Sequence, residues 1–329
     1  MAIDISIVVL ALLSLSPSIV LSDSLLNGTI YETYPLPPGT KGPVTISFMD
    51  DGVGPFTGIS NGNIVKLNTL LGTYEYFAHA APNRNNTQCD GNSDPSLYSV
   101  CGRPLGNAFN KSNYLYFCDI YFGLNGVGPS GGQATQLVKS AGGQPVFFCN
   151  GVSIDPIDGT VYFTDSSQVF KNTTQQIAAN DTTGRLLSYE PLTGDVKVLA
   201  EGLAGPAGLD VSSNSSYILI SEIVSNQIQK FYLKGPKAST IEPLLTNILI
   251  PGDIKRVGLG DEFVVPENPT AYVHYAIKIN GSGSILANRS ISGPYANVLY
   301  VRDMQQKGIS FFLGSTFATF IGVVTFVAL

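Results

Sequence analysis

The sequence predicts an all-β protein folded as a six-bladed β-propeller. Short runs of alternating apolar and polar residues recur along the chain, each broken by Gly, Asn, Asp or Pro turns. The runs gather into groups at a spacing of roughly 40 to 50 residues, the period of an array of four-stranded units. Outside the amino-terminal apolar segment no stretch carries a convincing 3.6-residue periodicity, so helix should be scarce.

The first group contains Thr45 to Met49, Phe56 to Ser60, Asn63 to Leu67 and Tyr74 to Ala78. The second contains Leu105 to Phe109, Asn113 to Cys118, Gly123 to Val127 and Ala134 to Val138. In the third, Gly151 to Ile154, Val161 to Thr164, Arg185 to Tyr189 and Val196 to Ala200 are joined by turns such as Asp158-Gly159. The fourth holds Gly208 to Val211, Tyr217 to Glu222, Gln227 to Tyr232 and Ile241 to Leu245. A fifth group spans about Asp253 to Ile291, and a sixth about Tyr295 to Val327.

Composition agrees with this reading and narrows the function. The 329 residues include 35 Gly, 17 Phe and 16 Tyr, and only 13% are charged, which suits a β protein with many turns. A net charge of −6 argues against nucleic acid or an anionic membrane as partner, because both require a basic surface. Residues 1 to 22 read as a signal peptide, with an apolar run from Ile5 to Leu21 and cleavage before Asp23, leaving 23 to 329 as one domain. Acceptor sequons at Asn27, Asn85, Asn110, Asn172, Asn180, Asn214, Asn280 and Asn288 point the same way, to a secreted or vacuolar glycoprotein.

Cys89 and Cys101 flank a polar loop and are the natural disulfide in an oxidising compartment. Cys118 and Cys149 stand in apolar, strand-like runs, where a buried thiol behaves as a small hydrophobe, and are expected to stay unpaired. The uncharged stretch Gly308 to Leu329 is long enough to suggest a membrane span or lipid anchor. Its Gly314 and Gly322 cut it at strand-like lengths, so a final pair of propeller strands is expected instead.

Several segments resemble strictosidine synthases and their plant relatives. They are Cys101 to Gly106 (CGRPLG), Leu115 to Leu124 (LYFCDIYFGL), Val127 to Leu137 (VGPSGGQATQL) and Asp158 to Ser167 (DGTVYFTDSS). Thr183 to Tyr189 (TGRLLSY), Gln229 to Ala238 (QKFYLKGPKA) and Ile254 to Arg256 follow in the family's order, and the resemblance runs from about Tyr34 to Val324. It implies a six-bladed propeller related at a distance to gluconolactonases and paraoxonases. It also implies alkaloid biosynthesis: condensation of tryptamine with the aldehyde secologanin in the plant vacuole, which needs a base beside the amine.

The family base is a glutamate in the last blade. Aligning on Gly308 puts Val301 there, and aligning on Gly314 puts Arg302 there. Neither is a base. Asp303 is the nearest carboxylate, but an offset of one residue turns a strand side chain to the other face. In the hydrolytic branch a divalent cation sits in the central channel, where a hard cation needs several oxygen donors. Carried over by position, its four ligands fall at Val44, Asn150, Ala207 and near Asp253, so no cofactor is expected and a cation at most weakly held.

Other candidates have ordinary readings beside functional ones. Asn150 precedes Gly151 and suits a strand start as well as ligand contact. Tyr121 matches an aromatic near the family pocket, and core packing explains it equally simply. Glu222 resembles a family glutamate, with a structural hydrogen bond at a strand end as its expected role. The only two histidines lie in an outer strand (His79) and a polar loop (His274), so a Ser-His-Asp triad is not expected. Three functions follow from the residues: a strictosidine synthase-like protein without its founding activity, a small ester or lactone hydrolase, and a propeller that binds a small hydrophobic metabolite or a cell-surface partner.

Overall fold

The computed structural model describes residues 18–20 and 29–326, with the exception of 259. Six antiparallel sheets stand around a central channel, each beginning with its innermost strand. Blade 1 is Ile46–Ser47, Phe56–Gly58, Asn63–Asn68 and Thr73–His79. Blade 2 is Pro104–Phe109, Leu115–Asp119, Gly123–Val127 and Thr135–Val138. Blade 3 is Cys149–Ile154, Val161–Asp165, Gly184–Tyr189 and Val196–Leu203. Blade 4 is Pro206–Val211, Tyr217–Glu222, Gln227–Tyr232 and Ile241–Thr246. Blade 5 is Lys255–Val257, Glu262–Thr270, Val273–Asn280 and Ile285–Ile291.

Blade 6 departs from the sequence reading. Its inner three strands are Asp303–Lys307, Ser310–Gly314 and Phe320–Phe326, but its fourth comes from the other end of the chain. Thr29–Pro35 pairs antiparallel with Phe320–Phe326, from Thr29 opposite Phe326 to Pro35 opposite Phe320. This pairing closes the ring and covers the outer edge of Phe320–Phe326. The expected signal peptide lies mostly outside the described residues; of it, Ser18–Val20 pairs beyond Thr29–Pro35. The C-terminal apolar stretch supplies the two expected strands, and among the described residues no helix is long and apolar enough to cross a membrane.

The core follows from the ring. A second strand such as Leu115–Asp119, Val161–Asp165 or Tyr217–Glu222 has another blade against each face, and all its residues are buried. Apolar side chains gather in six clusters, one at each blade-to-blade junction. Tyr31 of the closing strand lies in the cluster between blades 5 and 6, and Tyr34 in that between blades 6 and 1. Near the axis the inner strands touch directly: a Cβ on Gly208 would stand 2.4 Å from the Asp253 Cα, so the close approach requires glycine.

The Cys89–Cys101 disulfide forms as expected, with Cα atoms 5.6 Å apart, and ties the connection from blade 1 to blade 2. Cys118 and Cys149 overturn expectation. They are bonded too, with Cα atoms 5.0 Å apart, and join the second strand of blade 2 to the inner strand of blade 3. Apolar surroundings do not keep thiols apart when two packed blades bring them face to face. His274 also differs from its reading: it lies in Val273–Asn280, buried, with Nδ1 2.8 Å from Asn268 Oδ1 and Nε2 3.0 Å from the Val298 carbonyl. Of the sequon asparagines, Asn85, Asn172, Asn180, Asn214 and Asn288 are exposed, Asn110 and Asn280 are half-buried, and Asn27 lies outside the described residues. Asn85 and Asn172 cap short helices through Oδ1, which leaves Nδ2 for a glycan.

Candidate functional site

Inner strands begin at one end of the channel, here the upper, and finish at the lower. Loops between the second and third strands of each blade therefore also lie at the upper end. There Val44, Leu105, Ile120 and Phe148 form an apolar plug from three blades. Around it stands a charged ring. Asp119 is fully buried and accepts N–H groups from Arg103 (2.7 Å), Tyr121 (2.8 Å) and Phe122 (3.1 Å). Burial outweighs those bonds and pushes its pKa up to about 6.

Tyr121 is exposed rather than part of the core, with the Lys171 Nζ 4.8 Å from its ring centroid and 4.1 Å from that of Phe147. Lys171 donates to the carbonyls of Ile120 (2.8 Å) and Phe147 and so pins the Ser166 to Thr183 loop over blade 2. That loop carries the helix Thr173–Ala179, which the sequence reading did not include. Asn150 is buried, its Nδ2 3.4 Å from Ser166 Oγ. Glu222 is buried as well: Oε1 accepts from Ala204 N at 3.0 Å, and Oε2 from Ser225 Oγ and Gln227 Nε2, both at 2.7 Å. On the far side of the mouth Tyr272 and Phe317 are exposed, and Tyr300 packs 6.4 Å from Phe317. Tyr300 has φ 50°, a left-handed conformation that a tyrosine rarely adopts, and such strain collects at functional sites.

Residues 301 to 303 separate sharply. Val301 is buried in the cluster between blades 5 and 6, its N–H on Asn268 Oδ1 (2.9 Å). Arg302 points its guanidinium at Asp253 Oδ1, 3.6 Å away. Asp303 is fully buried, and its Oδ2 accepts the Ile46 N–H of blade 1 at 2.7 Å. Burial, with the charge of Asp253 added, pushes the Asp303 pKa up to about 7, against the pull of Lys255.

A divalent cation does not fit these residues. Val44 and Ala207 offer no side-chain donor, Asn150 bonds Ser166, and Asp253 is shared between Thr45 and Arg302. Among the described residues no cluster of His, Cys, Asp and Glu could hold a metal.

Below this level the channel opens downward. Ser47, Asn107, Ser153, Asp210, Lys255 and Gln305, one from each blade, line a well of about 300 Å³. Sequence reasoning assigned no role to Asp210 or Lys255. The signal was a charged residue beside apolar ones in two inner strands, Leu209-Asp210-Val211 and Ile254-Lys255.

The class these features define is a six-bladed propeller, its last blade closed by a strand from near the amino terminus, with a polar well at its lower end. A propeller in a crystal structure of a nidogen/laminin complex shares the fold, with TM-score 0.53 and 15% identity over 77% of this chain and 81% of that one. A family model described as strictosidine synthase matches residues 150–236. Protein STRICTOSIDINE SYNTHASE-LIKE 12 of Arabidopsis thaliana is 35% identical over 96% of this chain and 94% of its own length. Strictosidine synthase of Catharanthus roseus is 30% identical over 86% and 83%. The chain belongs to the strictosidine synthase-like family.

Proposed function

We propose that this family member is a glycosylated protein of the secretory pathway, in the vacuole or outside the cell, that binds a small hydrophobic metabolite at its upper mouth. It does not condense tryptamine with secologanin at a useful rate. The observation that carries this reading is the placement of the only carboxylate between residues 295 and 307, Asp303, inside the protein with its Oδ2 bound to a backbone N–H. A base in such a condensation must reach the substrate amine. Val301 is core, and Arg302 is a permanent cation turned toward Asp253.

The exposed rings of Tyr121, Tyr272 and Phe317 support an apolar ligand at this end. Two disulfides suit an oxidising compartment. Metal-assisted hydrolysis finds no donors at Val44 or Ala207. Purified protein incubated with tryptamine and secologanin, followed by mass spectrometry, tests the reading. Strictosidine formed at a rate comparable to the Catharanthus enzyme would overturn it.

A further inference from the structure

The geometry points to a second binding site in the lower well, one that takes a neutral, hydroxyl-rich ring of monosaccharide size. This inference concerns the opposite end of the channel and stands independently of the function proposed above. Its starting point is the Lys255 ammonium, which lines the well yet makes no hydrogen bond or ion pair among the described residues. Burial works to lower the Lys255 pKa, but Asp303, Asp253 and Asp210 outweigh it and raise it, so the group remains a cation with donors to spare.

The walls select the ligand by exclusion. An apolar molecule would leave those donors and the Gln305 amide oxygen dry, a cost of roughly 1–3 kcal/mol for each group on protein scales, whereas the Asn107 amide already accepts from Ser47 and donates to the Thr45 carbonyl. An anion would meet Asp210 in the wall, with Asp253 and Asp303 behind Lys255. A cation would meet Lys255, and Lys307 at the rim. Hydroxyl groups both donate and accept, so they satisfy the Lys255 ammonium and the Gln305 amide oxygen together, while Asp210, already bonded by Ser153, Val211 and Arg256, adds negative charge to the wall. Phe48 and Phe109 add flat apolar faces for the C–H side of a ring. A well of about 300 Å³ sits at the lower limit of small-molecule pockets, roughly 300–1,000 Å³, which suits one ring.

Saturation-transfer NMR with methyl β-D-glucopyranoside tests this on the full chain. Wild type is expected to show transfer, and Lys255→Met to lose it by about tenfold or more, the equivalent of roughly 1.4 kcal/mol. Because Lys255→Met also disturbs two buried carboxylates, Asp253 and Asp303, and the half-buried Asp210, Gln305→Trp is the second variant. Gln305 bonds only the Gln306 carbonyl, and an indole there fills the well, so transfer should vanish while the melting temperature holds. No transfer in wild type overturns the proposal, as does undiminished transfer in folded Gln305→Trp. Stronger binding of glucuronate or glucosamine than of the neutral glycoside overturns the assigned ligand class.

Discussion

Thr45 Oγ1 donates a 2.7 Å hydrogen bond to Asp253 Oδ2, joining blade 1 to blade 5 past blade 6. The bond spans the gap in front of the first strand of blade 6. Beside it the Asp253 N–H donates to the Arg302 carbonyl at 2.5 Å, and the Ile46 N–H donates to Asp303 at 2.7 Å. The starts of the inner strands of blades 1, 5 and 6 are therefore sealed to one another by side-chain and backbone bonds.

The seal should behave as one unit under mutation. Thr45→Val removes the donor and leaves a buried carboxylate oxygen short of a partner, a cost of about 1–3 kcal/mol. Asp253→Asn weakens the same bond and the Arg302 pair together. In chemical denaturation the double variant should cost clearly less than the two single changes added, because both remove one shared interaction. Strict additivity would show that the contact carries no energy.

Asp303 should make the protein less stable as the pH rises. Its native pKa, pushed up to about 7, lies above the roughly 3.9 of an unfolded aspartate. Between those values the folded chain holds a proton that the unfolded chain has released, so stability falls as pH climbs through that window. Asp303→Asn should flatten the slope, in part only, because Asp119 at about 6 contributes with the same sign. Unfolding free energies measured across this window check it, and parallel curves for the two proteins would count against it.

Blades 1 to 5 were legible in the sequence because each is local: four strands in succession, with period-two patterning and turn residues between them. Blade 6 was only three-quarters legible. The sequence reading includes no strand at Thr29 to Pro35, and nothing local says that its partner is Phe320 to Phe326. The same long-range blindness hid the Cys118–Cys149 bond, since each cysteine sits in a run that any buried strand could show. At the site, two alignments left Val301 and Arg302 as equal claimants. Only the register of Asp303 opposite Gly314 separates them, sending Val301 into the core and Arg302 toward the channel.

The second disulfide has a direct chemical signature. Protein unfolded without reductant should titrate no free thiol, because all four cysteines are paired. Replacing Cys118 and Cys149 together with alanine removes a cross-link over 31 residues, and the chain-entropy account puts that loss at roughly 4 kcal/mol. Two reactive thiols in the unreduced wild type would contradict the pairing.

Ring closure by the amino-terminal strand makes a contrast between two tyrosines. Tyr31 is 2% exposed, packs in the junction of blades 5 and 6, and its hydroxyl accepts the Ser292 N–H at 2.8 Å. Tyr76, in the fourth strand of blade 1, is 57% exposed. Tyr31→Ala opens a cavity at the one place where the ring is held by strand pairing between distant ends of the chain, and should cost about 3–5 kcal/mol. Tyr76→Ala, at the surface, should stay within about 0.5 kcal/mol of wild type. Denaturant midpoints for the two variants measure the difference. Because the fourth strand of blade 6 reaches its partner Phe320–Phe326 only through pairing between distant parts of the chain, loosening it should also raise the protease sensitivity of residues 29 to 35 in Tyr31→Ala but not in Tyr76→Ala. Equal stability losses in the two variants would mean that the closing strand contributes little, and that the ring is held by the blade-to-blade clusters alone.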